Sequence, residues 1–164
     1  MNDEILNLAE KVVKDAALKK IKIAFAESCT GGLISAAITD VAGSSEVFLG
    51  SAVVYCNGAK QRILGVRPDV LEQHGAVSSQ CALQMASGAL CLYGSDVAMS
   101  VTGIAGPDGG SAEKPVGTVW FAFADQGFES SFVRHFSGGR DDVRKATVRE
   151  ALLYLLERLT RYGV

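Results

Sequence analysis

Apolar and polar residues along the chain follow two alternating periods. From Ile5 to Leu18 the positions Ile5, Leu6, Leu8, Ala9, Val12, Val13, Ala16 and Ala17 recur at helical spacing, with Glu10, Lys11, Lys14 and Asp15 on the other side. This pattern predicts an amphipathic helix. Ile21 to Ala26 is short and alternating and reads as a strand that ends just before Ser28, after which Cys29 to Val41 reads as a helix. Between Glu46 and Tyr55 the β-branched and aromatic content rises again, which favours a second strand. Asn57 through Leu64 then begins another helix.

Ser78 is placed to cap the apolar-periodic run Ala82 to Leu92, and Gly94 to stop it. Val97 to Val101 and Val116 to Ala124 are continuous apolar runs, while Phe128 to Phe136 alternates. Gln126-Gly127 between the last two predicts a hairpin. From Asp141 to Leu159, Val143, Ala146, Val148, Ala151, Leu152, Leu155, Leu156 and Leu159 mark a long closing helix that Asp141 would cap. Strands interleaved with helices early and a hairpin late imply a three-layer α/β/α fold with a mixed, mostly parallel sheet. No linker or repeat interrupts residues 1–164, so one domain is expected.

Nearly half of the 164 residues are apolar, enough for one sizeable core. No apolar run approaches a membrane span, and Met1-Asn2-Asp3-Glu4 lacks the basic stretch and apolar block of a secretory signal. A cytoplasmic protein is expected. A net charge of -2 gives no cationic field of the kind that supplies affinity for nucleic acid, so neither nucleic acid nor membrane is an expected partner. Cys29, Cys56, Cys81 and Cys91 contain no Cys-x-x-Cys pair and read as free thiols. His74 and His135 lack a second ligand at a familiar spacing, so no metal is expected.

Four segments carry candidate chemistry. The strand-to-helix joint Glu27-Ser28-Cys29-Thr30-Gly31-Gly32 places a hydroxyl and a thiol where a helix start would present unpaired N–H groups. Ser28 there is either a nucleophile facing an oxyanion or phosphate site, or, like Thr30, a helix cap. A serine nucleophile needs a base, and no Ser-His-Asp set is evident; Tyr55-Cys56-Asn57-Gly58-Ala59-Lys60 offers a lysine, which serves if desolvated and is otherwise an ordinary solvated helix residue. Val101 to Ser111 follows a strand and is too glycine-rich for regular structure, so it is a shaped ligand loop or a flexible surface loop. Arg140, near the start of the closing helix, suits a phosphate fork or a surface or subunit contact.

In combination and order these segments resemble the CinA carboxy-terminal-domain family, which includes stand-alone nicotinamide-nucleotide amidohydrolases. The resemblance runs from about Leu6 to the end, through Ala26 to Gly32, Thr39 to Ser45, Tyr55 to Lys60, Gly75 to Ser78, Thr102 to Gly110 and Lys114 to Val119. It implies that Ser28 is the nucleophile and Lys60 its general base, with Tyr55 lining the site. Backbone N–H groups near Cys29 and from Gly43 to Ser45 become candidates for an oxyanion hole. Thr30, Thr102, Gly103, Ala105 and Arg140 become candidates for holding a nucleotide.

The implied reaction converts nicotinamide mononucleotide to nicotinic acid mononucleotide and ammonia through an acyl-enzyme, without a cofactor, in pyridine-nucleotide salvage. Longer family members carry a further amino-terminal domain, for which this chain is too short. Two departures stand out: Cys56 replaces a commoner small hydroxyl residue, and Gly58 replaces a better helix former. Rival expectations are a cysteine hydrolase using Cys29, and a non-catalytic nucleotide-binding module of a competence or damage response. A homodimer through the closing helix and its arginines is also expected.

Overall fold

The computed structural model describes residues 3–163. Strands β1 (Ile23–Glu27), β2 (Phe48–Val53), β3 (Val97–Gly103), β4 (Thr118–Asp125) and β5 (Glu129–His135) form one sheet in the order β2-β1-β3-β4-β5. β1 pairs in parallel with β2 and β3, whereas β4 runs antiparallel to both β3 and β5. Four of the five strands therefore share a direction, giving a mixed, mostly parallel sheet. Six α-helices flank it: α1 (Asp3–Lys19), α2 (Leu33–Thr39), α3 (Asn57–Leu64), α4 (Pro68–His74), α5 (Ser79–Tyr93) and α6 (Arg140–Leu159).

The period-2 pattern of the strands divides bulky from small residues. On one face Ile23, Phe25, Val97, Met99, Val101, Phe121 and Phe123 pack with the apolar stripes of α1, α2 and α6. Each fully buried large side chain there contributes roughly 1.5–3 kcal/mol. The opposite face presents Ala24, Ala26, Ala98, Ala122 and Ala124 to α3, α4 and α5. Small side chains let α5 approach closely enough for the Ser100 hydroxyl to donate to the Ala82 carbonyl at 2.6 Å. Covered on both faces, β1 is buried along its whole length.

Several boundaries follow the local chemistry foreseen. Ser78 accepts the Cys81 N–H at 3.1 Å, and α5 ends on Gly94 in the left-handed region. β4 and β5 pair as a hairpin, held by the Asp125 carboxylate on the N–H groups of Gly127 and Phe128. Others differ. α2 starts at Leu33 rather than Cys29, because Gly31 and Gly32 take φ of 60° and 100° and turn the chain first. At α6 it is Asp142, not Asp141, that caps, accepting the Gly139 N–H at 2.8 Å. α4, opened by Pro68 at its first position, was not foreseen.

This topology prepares one end of the sheet. After β1 the chain crosses to α2 on the bulky face, and after β2 it crosses to α3 on the alanine face. Such divergence opens a crevice beyond the carboxyl ends of parallel strands.

Candidate active site

Ser28 directly follows β1 and is still held in the sheet: its N–H donates to the Val101 carbonyl at 3.1 Å, and the Val54 N–H donates to the Glu27 carbonyl at 2.8 Å. Across the crevice Lys60 occupies the first turns of α3, where side chains lean back toward the helix start. Its Nζ donates to the Val54 carbonyl at 2.8 Å, lies 3.0 Å from the Ser28 hydroxyl, and reaches the Tyr55 carbonyl at 3.4 Å. Lys60 is only 1% exposed. Burial pushes its pKa below the ordinary 10.5, and the neighbouring Cys81, Cys29, Cys56 and Tyr55 side chains offset this only in part. The positive end of α3 acts in the same direction.

These three acceptors suit either protonation state. An ammonium satisfies all of them; a neutral amine keeps its two N–H bonds to the carbonyls and turns its lone pair to the Ser28 hydroxyl. A proton can pass between Ser28 and Lys60 with little rearrangement.

The turn at residues 28–32 is clamped from two sides. The fully buried Glu27 carboxylate accepts from the N–H groups of Gly32, Ile34 and Ser35 at 3.0, 3.1 and 2.9 Å and from the hydroxyls of Thr30, Ser35 and Ser51. From α6, Arg144 donates to the carbonyls of Cys29 and Thr30 at 3.2 and 3.0 Å. The positive end of α2 is thus occupied by the protein's own carboxylate rather than left open to a ligand. Thr30, a candidate for holding a nucleotide, is buried with its hydroxyl on Glu27 and does not line the cavity. The Cys29 thiol packs into the core, and burial pushes its pKa up to about 12, against the lowered value a thiol nucleophile requires.

A cavity of about 200 Å³ opens over Ser28 and Lys60. Among the candidates, Ser28, Cys29, Tyr55, Lys60, Thr102, Gly103, Ala105 and Arg140 line it, joined by Asn57, Ala76 and Val77. Gly43 and Ser45 do not. Gly43 precedes the 3-10 turn Ser44–Glu46 and Ser45 lies within it; the next residue, Val47, accepts the N–H of Ile23 at the start of β1, whereas Ser28 follows its end. At roughly 3.3 Å per strand residue that separation is about 15 Å.

The cavity rim is tied across segments. Thr102 donates its hydroxyl to the Ala76 carbonyl at 2.9 Å. Arg140 donates to the Gly106 carbonyl and to the Tyr55 hydroxyl, both at 2.8 Å, linking α6, the glycine-rich loop and the segment before α3. At Gly103 a Cβ would lie 2.8 Å from the Thr118 carbonyl oxygen, so only glycine fits that wall. Among the described residues no His, Cys, Asp or Glu cluster is arranged to hold a metal, and no helix is long and apolar enough to cross a membrane.

Asn57, Ala76 and Val77 were missed, although each lies beside a residue with a legible role: Tyr55 and Lys60 in one case, the Ser78 cap in the other. Glu27 and Arg144 were missed too. An acid closing an otherwise apolar strand was the available signal for the first; the second lies in the arginine-bearing start of the closing helix, of which only Arg140 was singled out.

Residues 5–159 match the CinA C-terminal domain. The nicotinamide-nucleotide amidohydrolase PncC of Escherichia coli is 48% identical over 96% of this chain and 94% of its own length. A CinA-like protein of Geobacter sulfurreducens is 53% identical over 86% of this chain but only 34% of its own. The crystal structure of the competence/damage inducible protein CihA from Agrobacterium tumefaciens superposes with a TM-score of 0.93 at 46% identity, covering 98% of both chains. A competence damage-inducible protein A from Klebsiella pneumoniae gives a TM-score of 0.94 at 36% identity over 97% and 99% of the two chains. With the matched model spanning nearly its whole length and close relatives agreeing in sequence and fold, this chain belongs to the CinA C-terminal domain family.

Proposed function

We propose that this protein hydrolyses the carboxamide of nicotinamide mononucleotide, giving nicotinic acid mononucleotide and ammonia. The observation that carries the reading is the buried Lys60 amine 3.0 Å from the Ser28 hydroxyl at the floor of the cavity, in a chain 48% identical to a nicotinamide-nucleotide amidohydrolase. Ser28 Oγ attacks the carboxamide carbon while neutral Lys60 takes its proton. The developing oxyanion is received by backbone N–H groups near Cys29. Lys60 returns the proton to the leaving nitrogen, ammonia departs, and Ser28 holds the acyl group as an ester. Water, deprotonated by the same lysine, then releases the acid and restores the hydroxyl. No cofactor enters this scheme.

Apolar Ala76, Val77 and Ala105 form walls for the pyridine ring, with Thr102 and Gly103 at the strand end beside Ser28. Arg140, exposed at the rim, takes the nucleotide phosphate in this reading, its guanidinium exchanging bonds to Tyr55 and Gly106 for the anion. The test is ammonia release from nicotinamide mononucleotide by the wild-type protein, Ser28→Ala and Cys29→Ala. Ser28→Ala is expected to abolish release and Cys29→Ala to retain much of it. The reverse result, or binding without turnover in the wild type, would overturn the reading.

A further inference from the structure

The cavity contains a polar side chain that neither the fold nor the dyad uses. Ser28 is bonded to Lys60, Thr102 to the Ala76 carbonyl, and Tyr55 to Arg140. Asn57 also lines the cavity, yet among the described residues its amide has no hydrogen-bond partner. It is the first residue of α3, three positions before Lys60, a spacing that puts both side chains on one helix face. Lys60 leans back toward this first turn, so Asn57 flanks the amine at the cavity mouth.

On the reading above, the carbonyl oxygen of the substrate carboxamide goes to backbone N–H donors and its carbon to Ser28. The amide nitrogen then carries two hydrogens that need an acceptor, on the side from which Lys60 must protonate it. We propose that Asn57 binds this leaving nitrogen, its side-chain oxygen accepting one N–H and thereby turning the nitrogen toward Lys60. Such a contact makes Asn57 a specificity residue for primary amides, because an ester of the same acid offers no N–H at that point. Asn57 is exposed at the cavity mouth, so its discrimination is the one hydrogen bond that the amide makes there and the ester cannot.

Two substrates separate this role from a general one: nicotinamide mononucleotide and the methyl ester of nicotinic acid mononucleotide, which share ring, ribose, phosphate and reacting carbonyl. Asn57→Ala and the similarly sized Asn57→Leu are expected to lower kcat/KM for the amide on the order of tenfold, the loss of about one hydrogen bond. Ester hydrolysis should change little, and the acidic limb of the pH profile should stay in place because Lys60 is untouched. Equal losses on both substrates, a displaced limb, or no loss on the amide would each overturn the proposal. The wild-type rate on the amide tests the function itself, and the amide-to-ester ratio of the variants tests Asn57, so the two fail separately.

Discussion

Lys60 Nζ and Ser28 Oγ lie 3.0 Å apart across the crevice between β1 and α3, and the groups that bear on the lysine's titration are thiols and a phenol rather than carboxylates. Its charge therefore lacks the partner that would hold the amine protonated to high pH. Because the pKa is lowered, the neutral form gains population at a lower pH than for a free lysine. Log kcat/KM for ammonia release should rise as pH increases through that lowered value and level off above it, with the bend below 10.5. Lys60→Arg keeps the charge but cannot accept the proton. It is expected to lose activity across the whole range, and a variant keeping both limb and rate would remove Lys60 as the base.

The four cysteines should differ sharply toward an alkylating reagent. Cys29 and Cys81 are buried, and burial pushes their pKa values up to about 12 and about 11. Cys56 is exposed at the start of α3, where the N–H of Ala59 leads the groups that lower its pKa. Its thiolate fraction at a given pH is therefore the larger. Iodoacetamide at pH 8 followed by peptide mass spectrometry is expected to modify Cys56 first, with Cys29 and Cys81 unmodified until the protein unfolds. Rapid modification of Cys29 in the native protein would revive the thiol nucleophile.

The sheet and its helices other than α4 were legible because periodicity is a local property: the stripe of α1, the apolar runs of β3 and β4 and the Ser78 cap each lie within one segment. The turn before α2 was not, since its cap is Glu27, six residues upstream of Leu33 and outside the usual capping position. Once a buried carboxylate takes the first N–H groups of α2, the glycines serve the turn rather than a ligand. The same carboxylate takes the buried Thr30 hydroxyl. Gly43 and Ser45 lie away from the cavity for a topological reason: motif order along a chain does not say which end of a sheet a loop joins. Asn57 was inside a segment already singled out, but a free side chain becomes visible only when its neighbours' bonds are known.

Glu27 gives a stability prediction that follows from those bonds. Glu27→Gln preserves shape but replaces one acceptor oxygen with an NH2 group, which must face N–H or hydroxyl donors now directed at the carboxylate. Losing charge-assisted bonds and leaving buried donors unpaired should cost about 2–4 kcal/mol. A lower urea midpoint with an unchanged slope is the expected measurement. Unaltered stability would show that the turn before α2 does not depend on the carboxylate.

Gly88 connects core packing to the position of the base. On α5 it faces the end of α3, and a Cβ there would lie 2.2 Å from the Leu64 carbonyl oxygen and 2.9 Å from the Leu64 carbonyl carbon. Backbone cannot swing aside as a flexible side chain can, so α3 must shift by about 1 Å to relieve the overlap, and Lys60 shifts with it. Ala improves helix propensity by up to about 1 kcal/mol, whereas overpacking costs about 1–3 kcal/mol, so the net effect on stability is a modest loss. Activity should fall further, because a displacement near 1 Å in a reacting pair can cost on the order of 100-fold. Gly58→Ala, at the other end of α3, is the control: its Cβ would meet only the mobile end of Arg62 at 3.1 Å. It should raise the urea midpoint and leave the rate of ammonia release unchanged. If Gly88→Ala also left that rate unchanged, the packing of α3 on α5 would not set the approach of Lys60 to Ser28.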